Sequence, residues 1–322
     1  MNGFEINELK KLRKTLAKIG KLAGEAVGHQ AQEQETDEAT NGFGEQEFYA
    51  CTLKSLPKQL LVKAADTAVE INPMNAPLRG MMSDFEIGLV SDPQFIAVLT
   101  TKYWGPAPRR LSVSFMESTP SDLRRRIVSH LNAWTKTGGI EFVETQGAGE
   151  VRISRGPGGY WSYLGTDILQ IPRNRQTMNL QGFIMNTPES EYKRVIRHEA
   201  GHTLGFPHEH MRQDLVARID PNKAYEYFWR TQGWNRAMVD QQVLTPLNEA
   251  SLLKTPADQT SIMCYQLPGS ITRNGQPIIG GLDINQTDFD FVKSIYPKPV
   301  PHSSLEPDLE KEIDWEAEFA AA

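Results

Sequence analysis

The chain has 322 residues, room for one large domain or two small ones. Hydrophobic residues make up 39%, so a sizeable core can be buried, and the formal net charge is −6. No apolar run approaches the ~20 residues that span a bilayer, and no basic stretch dominates, which argues against nucleic acid as the main partner. Two cysteines, Cys51 and Cys264, permit at most one disulfide, so a disulfide framework is excluded and the redox compartment is left open.

At the start of the chain Leu9, Leu12, Leu16 and Ile19 recur at helical spacing among Lys10, Lys11, Arg13, Lys14 and Lys18. This reads as a short basic amphipathic helix. Its apolar residues are spaced and not contiguous, so it lacks the h-region of a secretory signal peptide. Residues 29–47 carry six acids and no Lys or Arg, the texture of a disordered linker. A helical pattern follows in LPKQLLVKAADTAVEI and stops at Asn72-Pro73. Residues 73–94, rich in Pro, Met, Gly and Asp, read as a connector.

The texture changes near Phe95. Residues 110–116, RLSVSFM, alternate like a strand. A helix comes next, with Thr119 placed to cap it, Pro120 at its first position and Asp122 as the capping-box acid. Leu123, Ile127, Leu131 and Trp134 form its buried stripe, and Gly138-Gly139 end it. IEFVET (140–145) and EVRISR (150–155) are further strands, and GPGGYWSYLG (156–165) is a glycine-rich turn or bulge. Another helix is expected over 190–204, and Asp220-Pro221 opens one that runs through Arg230. Asp283, with Gln286 three residues on, caps a last helix that ends at Tyr296-Pro297. The order of elements describes an α+β fold, a mixed sheet with helices packed on it. The tail, 302–322, holds seven acids and one lysine and reads as a solvated extension.

Chemistry concentrates in His198-Glu199-Ala200-Gly201-His202-Thr203-Leu204-Gly205-Phe206-Pro207-His208. With His210, four of the seven histidines fall within thirteen residues. His198 and His202, four apart, share one helix face and can reach a single metal ion at ~2.0–2.1 Å. Gly205 allows a sharp turn, since glycine tolerates positive φ, and that turn returns His208 as a third ligand. Three neutral imidazoles leave a fourth position open on one catalytic Zn2+, and Glu199 is then placed as general base for the attacking water. A bare HExxH recurs by chance. The extension HExxHxxGxxH fixes five positions in eleven and is far more specific.

HEAGHTLGFPHEH followed by SIMCY (261–265) resembles the astacin family of metzincins, whose signature is HExxHxxGFxHE with a later SxMHY. The resemblance covers roughly 95–297. It implies a two-lobed zinc endopeptidase domain: a twisted mixed sheet with the active-site helix in the upper lobe, and a mainly helical or irregular lower lobe. An edge strand would pair with extended protein or peptide substrate. Met263 would form the Met-turn beneath the zinc, and Tyr265 would contact zinc at rest and then support the oxyanion. Glu209 would pair with the mature N-terminus, near Phe95, and Trp104 matches a tryptophan close to that start. Residues 1–94 then hold the basic helix, the acidic linker and a pro-segment, 95–301 the protease domain, and 302–322 the acidic tail. Cys264 stands where the family has histidine, and the family's four cysteines are missing.

Such enzymes are usually exported, so the expected location is outside the cell by a route without a cleavable signal peptide, or else the cytoplasm. No membrane span is expected, and the sequence is silent on oligomeric state. Arg273, downstream of the Met-turn, offers a positive charge for substrate, or is simply solvated. Phe43-Gly44-Glu45 only poorly echoes the FxGD-type latency motif of astacin pro-segments. Cys51 fits three readings: a thiolate that occupies the fourth zinc position and silences the enzyme, an ordinary buried cysteine, or a disulfide partner of Cys264. Two other functional classes compete with a general peptidase: a zinc-stabilised protein-binding module, and a toxin-like protease of narrow specificity.

Overall fold

Leu61–Ile71 forms helix α1, which buries Ala64, Ala65 and Ala68 on one face and ends at Asn72, the residue before proline. It belongs to a computed structural model that describes residues 51–76, 100–247 and 256–299. The basic helix, the acidic linker, Phe43-Gly44-Glu45, Phe95 and the acidic tail lie outside the described residues. Strand β1 (Arg109–Phe115) follows, with Leu111 and Val113 wholly buried at alternate positions. Helix α2 (Ser121–Leu131) then buries Leu123, Ile127 and Leu131, and the 3-10 turn after it buries Trp134. The remaining strands are β2 (Ile140–Glu144), β3 (Val151–Ser154), β4 (Tyr160–Ser162) and β5 (Met178–Leu180).

The five strands lie in the order β2-β1-β3-β5-β4. All neighbours are parallel except β4, which runs antiparallel to β5. The segment read as a glycine-rich turn therefore also contains the sheet's edge strand. β3 and β5 are buried at every residue, as expected for strands covered on both faces.

Two capping expectations change. Helix α2 begins after Pro120 without a side-chain cap, and Thr119 instead donates its hydroxyl to the Glu117 carbonyl. The last helix, α5 in chain order, spans Gln286–Ile295, and its cap is Asn285, with Asp288 completing the capping box. Asp283 pairs with Arg197 and Lys193 instead. The helix expected over 190–204 is also interrupted. A short turn, Glu189–Glu191, passes into a π-helical turn, Tyr192–Ile196, and only then into α3 (Arg197–Thr203). Helix α4 (Pro221–Gln232) has Asp220 as N-cap, which accepts from the amides of Asn222 and Lys223.

Two apolar cores result. One joins the sheet, α2, α3 and α5 through Leu111, Ile127, Ile153, Ala200, Phe289 and Val292. The other gathers Ile219, Phe228, Val239, Val243, Ile271 and Ile278 in the second half of the chain, and Cys51, Cys264 and Tyr265 belong to it. Among the described residues no helix is long and apolar enough to cross a membrane.

Arg152, on β3, is the least expected member of the interior. It is 4% exposed. Its guanidinium donates to the carbonyls of Gly149, Glu150, Ile171, Pro172 and Arg175. A buried cation of this kind is tolerable only when its donors are all used. Here they tie the loop before β5 to the strand beside it. Arg152→Met, which keeps the bulk and removes the donors, should lower stability by about 2–4 kcal/mol. Chemical denaturation measures this, and an unchanged midpoint would show that the loop is held by other contacts.

Candidate active site

Helix α3 carries His198, Glu199 and His202 on a wholly enclosed segment. Its two ends are held by aromatic donors. Trp134 Nε1 donates to the Arg197 carbonyl at 2.8 Å, Trp104 Nε1 to the Thr203 carbonyl at 2.8 Å, and Tyr296 Oη to the Leu204 carbonyl at 2.5 Å. The last two satisfy carbonyls that a helix end leaves without intrahelical partners. Gly205 then turns the chain at φ +97°, and a Cβ there would press on the Lys102 carbonyl and the Tyr103 ring. This turn returns His208 beside His202, with their Nε2 atoms 2.9 Å apart.

The ring orientations follow from the opposite nitrogens. His198 Nδ1 donates to the Ile262 carbonyl at 2.6 Å, and His202 Nδ1 to the Phe206 carbonyl at 2.7 Å. Each proton is thereby fixed on Nδ1, and Nε2 is left as a lone pair. Burial pushes the His198 imidazole down to about 4 and holds His202 and His208 well below their usual range, so all three are neutral. Burial also raises Glu199, between them in sequence and wholly enclosed, to about 8. His210 is turned away and donates Nε2–H to the Gln242 carbonyl at 2.9 Å.

The second cross-over into the site is the turn Ser261–Tyr265. Asp288 holds it: one carboxylate oxygen accepts from Ser261 Oγ at 2.6 Å, and the other accepts from the amides of Ile262 and Asn285, each at 3.0 Å. The Met263 carbonyl accepts from the Glu209 amide at 2.9 Å, just past His208. The Met263 side chain packs against Gly201 so closely that a Cβ at position 201 would overlap its sulfur. The glycine inside HEAGH is thus the complement of the methionine. Sequence reasoning missed both Gly201 and Asp288, although the capping box at Asn285 carried a local trace of the second.

Tyr265 is 4% exposed, and its ring lies 4.3 Å from those of both His208 and His210, stacked on the latter. Glu209 accepts from the Asp258 amide at 3.1 Å and faces Arg212 at 3.6 Å, and burial raises its carboxyl to about 7. The Cys51 thiol reaches into the same centre and lines one cavity with Glu199 and Tyr265. Cys51 and Cys264 are both free thiols. Arg273 stands elsewhere: its Nε donates to the Ala217 carbonyl at 3.2 Å, and it does not line the cavity around Glu199. Arg194, from the π-helical turn, does line that cavity, with its guanidinium paired to Glu191.

The donor set suits zinc. The ligand atoms of Cys51, His198, His202 and His208 all lie within 4.8 Å of one another. Tetrahedral bonds of ~2.0–2.3 Å place donors about 3.3–3.6 Å apart, so small shifts suffice, with the His202 and His208 nitrogens, 2.9 Å apart, spreading slightly. His198 Nε2 is buried and has no hydrogen-bond partner, which a cation among the three lone pairs would supply. Replacing His198, His202 or His208 with Ala should weaken zinc binding by about a hundredfold or more, read by competition with a chelator. His210→Ala should stay within about tenfold of wild type, because its ring nitrogen serves Gln242. Zinc lost from His210→Ala but kept by His208→Ala would overturn the ligand assignment.

Comparison with known proteins bears on the whole of this arrangement. The family model described as Astacin, a peptidase family, matches residues 98–280. The zinc metalloproteinase nas-27 of Caenorhabditis elegans is 29% identical over 122 residues, which are 35% of this chain and 26% of that protein. The chain thus spans about a quarter of the length of that curated relative. The solved structure of myroilysin superposes with a TM-score of 0.57 at 28% identity, covering 62% of this chain and 97% of that one. A hatching-enzyme zinc-protease from the medaka Oryzias latipes gives 0.41 at 21% identity, over 59% of this chain and 90% of that one. With the family model covering more than half of its length and the zinc motif and methionine turn folded together, the chain belongs to the astacin family of zinc peptidases.

Proposed function

We propose that the chain is a zinc-dependent endopeptidase in which Glu199 is the general base. The observation that carries this is the enclosure of Glu199 beside three imidazoles whose lone pairs converge on one point. Zinc, when bound, polarises the scissile carbonyl and makes a water acidic enough to lose a proton near neutral pH. Glu199 accepts that proton and passes it to the leaving amine. Tyr265 donates its phenol to the oxygen on which negative charge develops. The edge strand β4 supplies main-chain groups along which an extended peptide can be laid. Beside Glu209 a cavity lined by Tyr103, Phe206 and Asp258 suits the amino group released on activation.

Glu199→Gln should retain zinc and lower kcat by about 10^3-fold, because a carboxamide cannot accept the proton. Tyr265→Phe should lower kcat with little change in KM. Casein cleavage read beside zinc content tests both. Near-normal turnover by the zinc-loaded Glu199→Gln enzyme would sink the mechanism, and unchanged kcat in the Tyr265→Phe enzyme would reduce Tyr265 to packing.

We further infer that residues 51–55 keep the enzyme latent. Cys51 lies where a fourth ligand would sit, and it lines the same cavity as Glu199. The following residues run along β4: Thr52 N–H donates to the Tyr160 carbonyl at 3.1 Å and Lys54 N–H to the Ser162 carbonyl at 3.4 Å. Together these would fill the position of the attacking water and the bed of the substrate. Cys51→Ala should yield a full-length chain that cleaves casein without prior processing, whereas the wild type needs processing. A variant as silent as wild type would end this reading.

A further inference from the structure

An extended strand turns alternate peptide groups to opposite sides. Thr52 and Lys54 direct theirs to β4. Leu53, between them, directs its amide and carbonyl the other way, and both meet one side chain. Gln242 Oε1 accepts from Leu53 N–H at 3.0 Å, and Gln242 Nε2 donates to the Leu53 carbonyl at 3.2 Å. Gln242 is 3% exposed. It sits in a second π-helical turn, Asp240–Leu244, beside the buried apolar Val243. Its backbone carbonyl is the acceptor for His210, whose ring stacks on Tyr265. The clamp is thereby fixed to the same framework as the catalytic centre.

When residues 51–55 leave, the Gln242 carboxamide loses both partners. Its donor and acceptor are then left at the spacing of one residue's N–H and C=O, ready for another main chain on the same path. A carboxamide turned about its last bond exchanges donor and acceptor. The same residue can therefore grip a main chain that runs in either direction along β4. It reads no side chain, because both contacts are to backbone atoms.

We propose that Gln242 is a substrate-positioning residue, which holds the main chain of one substrate residue about two positions from the scissile bond. This rests on the endopeptidase reading above, with β4 as the upper rail and Gln242 as the lower one. The occupant is any extended peptide, independent of sequence. Its contribution is realised only when the substrate is long enough to reach it.

The test uses the full chain after proteolytic activation, as wild type and as Gln242→Met, which keeps the length and loses both hydrogen bonds. Quenched fluorescent peptides are compared in a long form and in forms trimmed to a single residue beyond the cut on one side or the other. On long peptides Gln242→Met should lower kcat/KM about tenfold. On peptides trimmed at the clamped side the two enzymes should agree within about twofold, with equal zinc content. Equal kcat/KM on long peptides overturns the proposal. So does the same loss on long and trimmed peptides, which marks a general packing role. If activated wild type cuts no peptide at all, the endopeptidase reading falls and the clamp falls with it.

Discussion

The structure depends on keeping three buried imidazoles neutral and pointed at one place. Burial alone would leave their tautomers free. Two backbone carbonyls, those of Ile262 and Phe206, settle the protons of His198 and His202 on the outer nitrogens. Those carbonyls belong to different parts of the chain, so the ligand field requires α3, the Gly205 turn and the Ser261–Tyr265 turn to close together. Asp288 then matters out of proportion to its distance from the metal site, because it holds the segment that supplies the Ile262 carbonyl.

Two π-helical turns flank the centre. The first ends at Ile196, immediately before α3, and places Arg194 at the cavity. The second contains Gln242. Such turns insert an extra residue into a helical path and re-aim the side chains around it. The first lies in a segment, 190–204, whose pattern reads as ordinary helix, so a sequence pattern does not distinguish it from α-helix.

What was legible in the sequence was local. His198, Glu199, His202, Gly205 and His208 lie within eleven residues, and helix geometry plus one glycine turn suffices to bring them together. The strands around Leu111, Phe142 and Ile153 were visible through alternation and apolar content. What was hidden depends on long-range pairing. The Gln242–Leu53 clamp joins residues 189 apart, and no local signal marks either one. Gly201 reads as an unremarked position until Met263 is seen against it. The helix caps were misplaced by one or two residues because Thr119 and Asp283 had better partners elsewhere, a competition decided by tertiary contacts and not by propensity. Arg152 was invisible for the same reason, since a lone arginine in a strand reads as a solvated one.

That arginine does the work of a covalent staple. Three of its five carbonyl contacts fasten the loop before β5 without any covalent bond, and both cysteines are free thiols. A cross-link made of charge-assisted hydrogen bonds forms as the chain collapses. It waits for no oxidant or isomerase, and no reductant can undo it. The fastening of this loop is thus independent of the thiol–disulfide balance of its surroundings, whereas the thiol of Cys51 at the catalytic centre is not.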